Sequence, residues 1–277
     1  MKDFELLTKD HLHLKGKYWQ PAETKAALCV VHGLGDHMMR HAHVASYLCD
    51  NQIAVFLYDQ RGHGTSDGKK GHIPSYDALL DDVEAVLNKA KELYPKVPLF
   101  LYGHSMGGNV VANYVLKRNT SALAGVVISS PWFKLSFNPS VVKVALGTMM
   151  SKIYPAFTQP NEINAYQLTH DPAVAKAYID DTLVHHDISA GLFVAMFKGG
   201  EWAIQHASEF KIPALIMHGS EDPITSIAAT KEFVAKVKDR VTFKIWEGLR
   251  HETHNEAQGT EVMAYLKDWL LKQASFA

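Results

Sequence analysis

Six short apolar runs, at residues 28–31, 53–58, 99–102, 126–128, 215–217 and 243–246, recur along the chain between segments of helical periodicity. Near-continuous apolar runs of this length suit strands covered on both faces, and their return after helix-length intervals calls for parallel strands joined by crossover helices. One helical face is legible at Leu79, Leu80, Val83, Val86, Leu87 and Ala90, and another at Val262, Tyr265, Leu266, Trp269 and Leu270. The expectation is an α/β protein with a mostly parallel sheet. Residues 4–8 and 13–19 are too close together for a crossover and read as an antiparallel hairpin at the sheet's edge.

The alternation breaks between Pro131 and about Gly200, where helical patterns run on without a clear strand. This divides the chain into a core of residues 1–131 and 201–277 and a helical insertion, or cap, of residues 132–200. Within the insertion, Leu146, Met149, Met150, Ile153, Tyr154 and Phe157 follow one helical stripe interrupted at Pro155, and Leu192, Phe193, Met196 and Phe197 form a second apolar cluster. Stripes of this kind are ordinarily core. An insertion after a central strand, however, overhangs the carboxyl ends of the strands, where ligand sites of α/β sheets lie. Met149, Ile153, Phe193 and Phe197 are therefore candidate substrate contacts.

Several function classes are disfavoured by composition. Lys plus Arg is 28 against 29 for Asp plus Glu, a net charge of −1, so no general attraction to nucleic acid follows. The longest apolar stretches are far short of the roughly 20 residues a membrane span needs. The amino-terminal residues lack the apolar block of a secretory signal, so the expected location is the cytoplasm. There Cys29 and Cys49 read as core thiols rather than a disulfide. The sixteen histidines invite a metal reading. His251 and His254 are nonetheless three positions apart, whereas H-E-x-x-H needs four, and no later ligand cluster appears, so no metal is expected. Gly68 to Gly71 lacks the phosphate-loop pattern and reads as a basic loop.

The strongest local signal is Gly103-His104-Ser105-Met106-Gly107, directly after one apolar run and before a helix-like stretch. A sharp strand-to-helix turn needs flanking glycines, because its backbone is strained and side chains would crowd the serine. Such a turn presents the Ser105 hydroxyl above the sheet and aims a helix amino terminus at it. A serine hydroxyl is a weak nucleophile near neutral pH, so a base and an orienting acid are required. Hydrolases with this turn carry them in the order Ser, acid, His. Asp222, three residues beyond the strand-ending Gly219 and before Pro223, is the candidate acid, with Glu221 as competitor. His251, after the next strand, is the candidate base, with His254 as rival. The loop His32-Gly33-Leu34-Gly35 is placed to supply the Leu34 N–H as an oxyanion donor beside the Met106 N–H.

Together with HGLGDH at 32–37, YDQRGHGTS at 58–66, HGSEDPIT at 218–225 and GLRHETHNE at 248–256, these positions resemble the monoacylglycerol lipase and lysophospholipase-like group of serine hydrolases across essentially the whole chain. The resemblance implies the α/β-hydrolase fold, a sheet of about eight strands flanked by helices, with a helical cap over an acyl channel. It implies a lipid-ester substrate, Ser105, Asp222 and His251 as a triad, and no cofactor. Asp36, Arg40 and His254 match the residues that line the alcohol end of the site in that group, although Asp36 stands where Glu is commoner. Asp36 and Arg40 also have the i to i+4 spacing of a pair that braces the loop. Asp59 and Arg61 read as ties between loops. The expected activity is monoacylglycerol hydrolysis, with lysophospholipid hydrolysis, short- or medium-chain ester hydrolysis or an aminopeptidase-like activity as alternatives and a non-catalytic ligand-binding protein as the reading from another class. Exposed apolar residues of the cap imply peripheral contact with micelles or membranes.

Overall fold

The amino-terminal hairpin consists of β1 (Lys2–Leu7) and β2 (His13–Trp19), paired antiparallel from Lys2 opposite Tyr18 to Leu7 opposite His13. Its half-exposed pattern contrasts with β3 (Ala26–Val31), where every residue is buried. There follow α1 (Ala42–Asp50), β4 (Ile53–Tyr58), α2 (Tyr76–Leu93), β5 (Leu99–His104), α3 (Met106–Lys117) and β6 (Leu123–Ser129). After the next segment the pattern resumes with β9 (Ala214–Gly219), α7 (Ile227–Lys236), β10 (Val241–Trp246) and α8 (Gly259–Ala274). The computed structural model describes residues 1–237 and 240–276, with Lys143 by its backbone alone. Residues 238, 239 and 277, within the expected core segment, lie outside these.

The eight strands form one sheet in the order β1-β2-β4-β3-β5-β6-β9-β10. Its pairs are parallel from β4 to β10, and only β1–β2 and β2–β4 are antiparallel. This is the α/β-hydrolase fold, with helices on both faces of a mostly parallel sheet. Alternate residues of β3 feed two cores, as the two-residue period of a strand requires. Ala27, Cys29 and Val31 share one with Leu80 and Val83 of α2 and Val110 and Val111 of α3. Leu28 and Val30 share the other with Ala45 and Leu48 of α1 and Val262 and Leu266 of α8. Cys29 is buried, and both cysteines are free thiols. Among the described residues, no helix is long and apolar enough to cross a membrane.

Between β6 and β9 lie α4 (Val141–Ile153), β7 (Thr158–Pro160), α5 (Pro172–Asp180), β8 (Asp187–Ser189) and α6 (Ala190–Gln205), with β7 and β8 forming a separate antiparallel pair. The last of these helices runs past position 200. Gly199 and Gly200 resemble a helix stop but sit inside α6, because the helix packs so closely that a Cβ on Gly200 would come within 2.0 Å of the Phe133 carbonyl oxygen.

Candidate active site

Ser105 stands alone between β5 and α3, with φ 55° and ψ −116°, a left-handed backbone conformation that a residue with a Cβ rarely adopts. The turn is held from three sides. The Ser105 N–H donates to Ser129 O at 3.0 Å, and its carbonyl accepts from the N–H groups of Asn109 at 3.1 Å and Trp132 at 3.0 Å. Gly107 lets α3 start against the end of β3, since a Cβ there would lie 2.0 Å from Val31 O. The loop with Gly33 and Leu34 passes beside the serine, a Cβ on Gly33 falling 3.3 Å from Ser105 Cβ.

Asp222 occupies the turn after β9 and is buried. Its Oδ1 accepts from the N–H groups of Ile224 at 2.8 Å and Thr225 at 3.0 Å. Its Oδ2 accepts from the Thr225 hydroxyl at 2.7 Å and from His251 Nδ1 at 2.7 Å, with His218 Nε2 at 3.1 Å. Burial pushes this carboxyl's pKa up, but the attraction of His251 and the hydrogen bonds from His218 and His251 outweigh it and hold Asp222 far below the usual carboxylate range. The His251 imidazole is buried too, which would lower its pKa. The facing Asp222 charge and hydrogen bond win and raise it above 6.5. An ionised Asp222 accepts a hydrogen bond from His251 Nδ1–H, which keeps the proton on Nδ1 and leaves the Nε2 lone pair as the basic position. The Ser130 hydroxyl donates to the His251 carbonyl at 2.9 Å, so consecutive residues at the end of β6 hold both the Ser105 turn and the His251 loop.

The competing residues go elsewhere. Glu221 faces outward, 3.6 Å from His170 Nε2 and with its side chain 60% exposed. His254 is buried among imidazoles, its ring 5.1 Å from that of His41 and 5.3 Å from that of His104. Burial, then these neighbours, lower its pKa well below 6.5 and keep it uncharged.

A cavity of about 470 Å³ has Ser105, Leu34 and Thr225 in its lining, and most of the remaining wall is apolar, with Trp132, Met149 and Phe193 among its residues. Of the apolar candidates, Met149 and Phe193 line it, whereas Ile153 and Phe197 do not. Ile153 is the last residue of α4 and turns outward, 70% exposed, and Phe197 stacks on Phe193 at 6.2 Å. Nor do Asp36, Arg40 and His254 line the cavity, because Asp36 and Arg40 are engaged with each other at 3.1 Å in a buried ionic network. Sequence reasoning missed Trp132, three residues past Ser129 at the end of β6, and the polar wall from Gln159, Asn161 and Gln167, a segment with no periodicity to mark it.

Asp59 and Arg61 tie loops together. Asp59 accepts from Met38 N at 2.7 Å and Thr65 N at 2.8 Å, and Arg61 meets Asp82 at 2.6 Å and Asp10 at 2.7 Å. Among the described residues, no group of three or more His, Cys, Asp or Glu side chains is placed to hold a metal ion.

Comparison with known proteins matches residues 22–258 to the family described as serine aminopeptidase, S33. A monoacylglycerol lipase of Mycolicibacterium smegmatis is 30% identical over 91% of this chain and 91% of that protein. An abhydrolase domain-containing protein of Dictyostelium discoideum is 36% identical over 96% of this chain, which spans 28% of that longer protein. Among solved structures, a monoacylglycerol lipase of Paleococcus ferrophilus superposes with a TM-score of 0.87 at 29% identity, covering 94% of this chain and 99% of that one.

Proposed function

Because this chain belongs to the serine aminopeptidase S33 family of hydrolases, we propose that it is a serine esterase that cleaves monoacylglycerols to a fatty acid and glycerol through an acyl-enzyme on Ser105. The observation that carries this reading is the strained Ser105 turn, opening on an apolar cavity and tied through the end of β6 to the loop of an imidazole already paired with a buried carboxylate. The names of relatives matched over most of both chains support the substrate class.

In the proposed reaction, His251 Nε2 takes the hydroxyl proton as Ser105 Oγ attacks the ester carbonyl, and Asp222 stabilises the imidazolium that forms. The N–H groups of Leu34 and Met106 receive the oxyanion, a contribution of about 3–4 kcal/mol per donor. Collapse expels the glycerol oxygen, which takes the proton back from His251. Water then attacks the acyl-enzyme by the same steps in reverse and frees the fatty acid. The acyl chain lies along Trp132, Met149 and Phe193 beneath a cap formed by the insertion. Exposed Val141, Val142 and Ile153 on α4 give the cap an apolar face for peripheral contact with a micelle or membrane. The proposed setting is the cytoplasm, consistent with two free thiols.

Initial rates on monoacylglycerols, lysophospholipids, triacylglycerols, methyl esters and aminoacyl amides test the assignment. Monoacylglycerol should give the highest kcat/KM; a lysophospholipid or amide ahead of it would replace this reading.

A further inference from the structure

Glu252 directly follows His251, and its carboxylate is buried, the side chain only 4% exposed. A charge so placed needs close partners. Arg40 Nη1 and Nη2 each donate to one of its oxygens at 2.8 Å, a two-pronged match, and Asn255 Nδ2 adds a bond at 2.7 Å. The Glu252 N–H donates to Leu168 O at 2.8 Å, which anchors the loop to the insertion as well. Arg40 also donates to Asp36 Oδ1 at 3.1 Å and lies 4.7 Å from the centre of the Tyr178 ring. Asp36 belongs to the loop of Leu34, and its other oxygen accepts from His41 Nε2 at 2.9 Å. One guanidinium thus bridges the loop that carries an oxyanion donor and the loop that carries the base. Neither Arg40 nor Glu252 lines the cavity.

We propose that the Arg40–Glu252 pair is a positioning device that locks the His251 loop to the Leu34 loop, so that proton acceptor and oxyanion donor keep a fixed separation while substrate comes and goes. The proposal rests on the catalytic reading above. It sets Arg40 apart from a head-group contact: the pair acts through His251 and Leu34 and discriminates no alcohol.

Two variants test it. E252Q keeps the shape and one acceptor oxygen but loses the charge, and R40K keeps the charge but cannot make both bonds. Each should lower kcat by about 10- to 100-fold with KM changed by less than about twofold, equally for a monoacylglycerol and for the methyl ester of the same acyl chain. Charged and titratable groups acting on His251 include Asp222, Glu252, Asp36 and His104. The Glu252 charge favours the protonated imidazole, so E252Q should also move the acidic limb of the pH profile to lower pH, a change that mere loosening of the fold would not produce. R40K carries the test should E252Q fail to fold. Unchanged kcat in both variants, or a rise in KM confined to the glycerol ester, would overturn the proposal. A wild-type protein that neither hydrolyses esters nor reacts with a fluorophosphonate would instead remove the catalytic reading on which it rests.

Discussion

Asp222 Oδ2 accepts a hydrogen bond from His251 Nδ1 at 2.7 Å, and four other donors converge on the same carboxylate. The pair is prepared before any substrate arrives, with the acid ionised and the imidazole held in one tautomer. Asp222→Asn retains size but presents an amide N–H or a neutral oxygen to the ring, so the wrong tautomer becomes accessible. Ester turnover should fall by about 10⁴-fold with KM little changed. Steady-state kinetics on a monoacylglycerol check this, and a loss below tenfold would mean that Asp222 does not orient the base.

The pH dependence has a fixed sign. An imidazole in the proposed role of His251 accepts a proton only when neutral, and the His251 pKa is raised from its ordinary value because the Asp222 charge outweighs burial. The inactive, protonated form therefore persists to higher pH than it would for a free imidazole, and kcat/KM should climb as pH rises through that raised pKa. A profile already flat at and below pH 6.5 contradicts the assignment.

The cavity wall makes a chain-length prediction. Each buried CH₂ is worth about 0.8 kcal/mol, so kcat/KM should rise about fourfold per methylene until the cavity is full. Phe193→Ala, which removes a lining ring that faces Trp132 at 6.4 Å, should flatten the gain for longer chains while sparing short ones. An identical chain-length profile in the variant would place the acyl group elsewhere.

Gly107→Ala tests the turn. Its Cβ would stand 2.0 Å from the backbone oxygen of Val31, which cannot swing aside. The substitution should destabilise the protein by about 3 kcal/mol or more, measured by denaturant unfolding. A change under about 1 kcal/mol would show that the helix start is not held as described.

Much of this arrangement is legible in the amino-acid sequence. The inner parallel strands were visible because strands buried on both faces read as unbroken apolar runs, whereas the edge strand β10 is only part-buried and carries Lys244; the Ser105 turn was visible because glycine is required where α3 begins against β3. The meeting of Asp222 with His251 could be anticipated because each follows the carboxyl end of a strand. Features set by tertiary contact were not legible. The helical stripe of α4 does not say where the helix ends, and so hides that Ile153 turns outward. Gly199 and Gly200 resemble a stop until Phe133 is seen against them. The spacing of Asp36 and Arg40 announces a local pair, but Glu252, which takes both arms of the guanidinium, is 212 residues away.

On the proposed mechanism, the strained Ser105 is the nucleophile. The most direct measurement is reaction of the native protein with a fluorophosphonate followed by peptide mass spectrometry, alongside Ser105→Ala as control. A single stoichiometric adduct on Ser105 is expected, none in the variant, and in the variant a fall in ester turnover of about 10⁶-fold with its thermal unfolding preserved. An adduct on another residue, or turnover that survives in the folded variant, would contradict this mechanism.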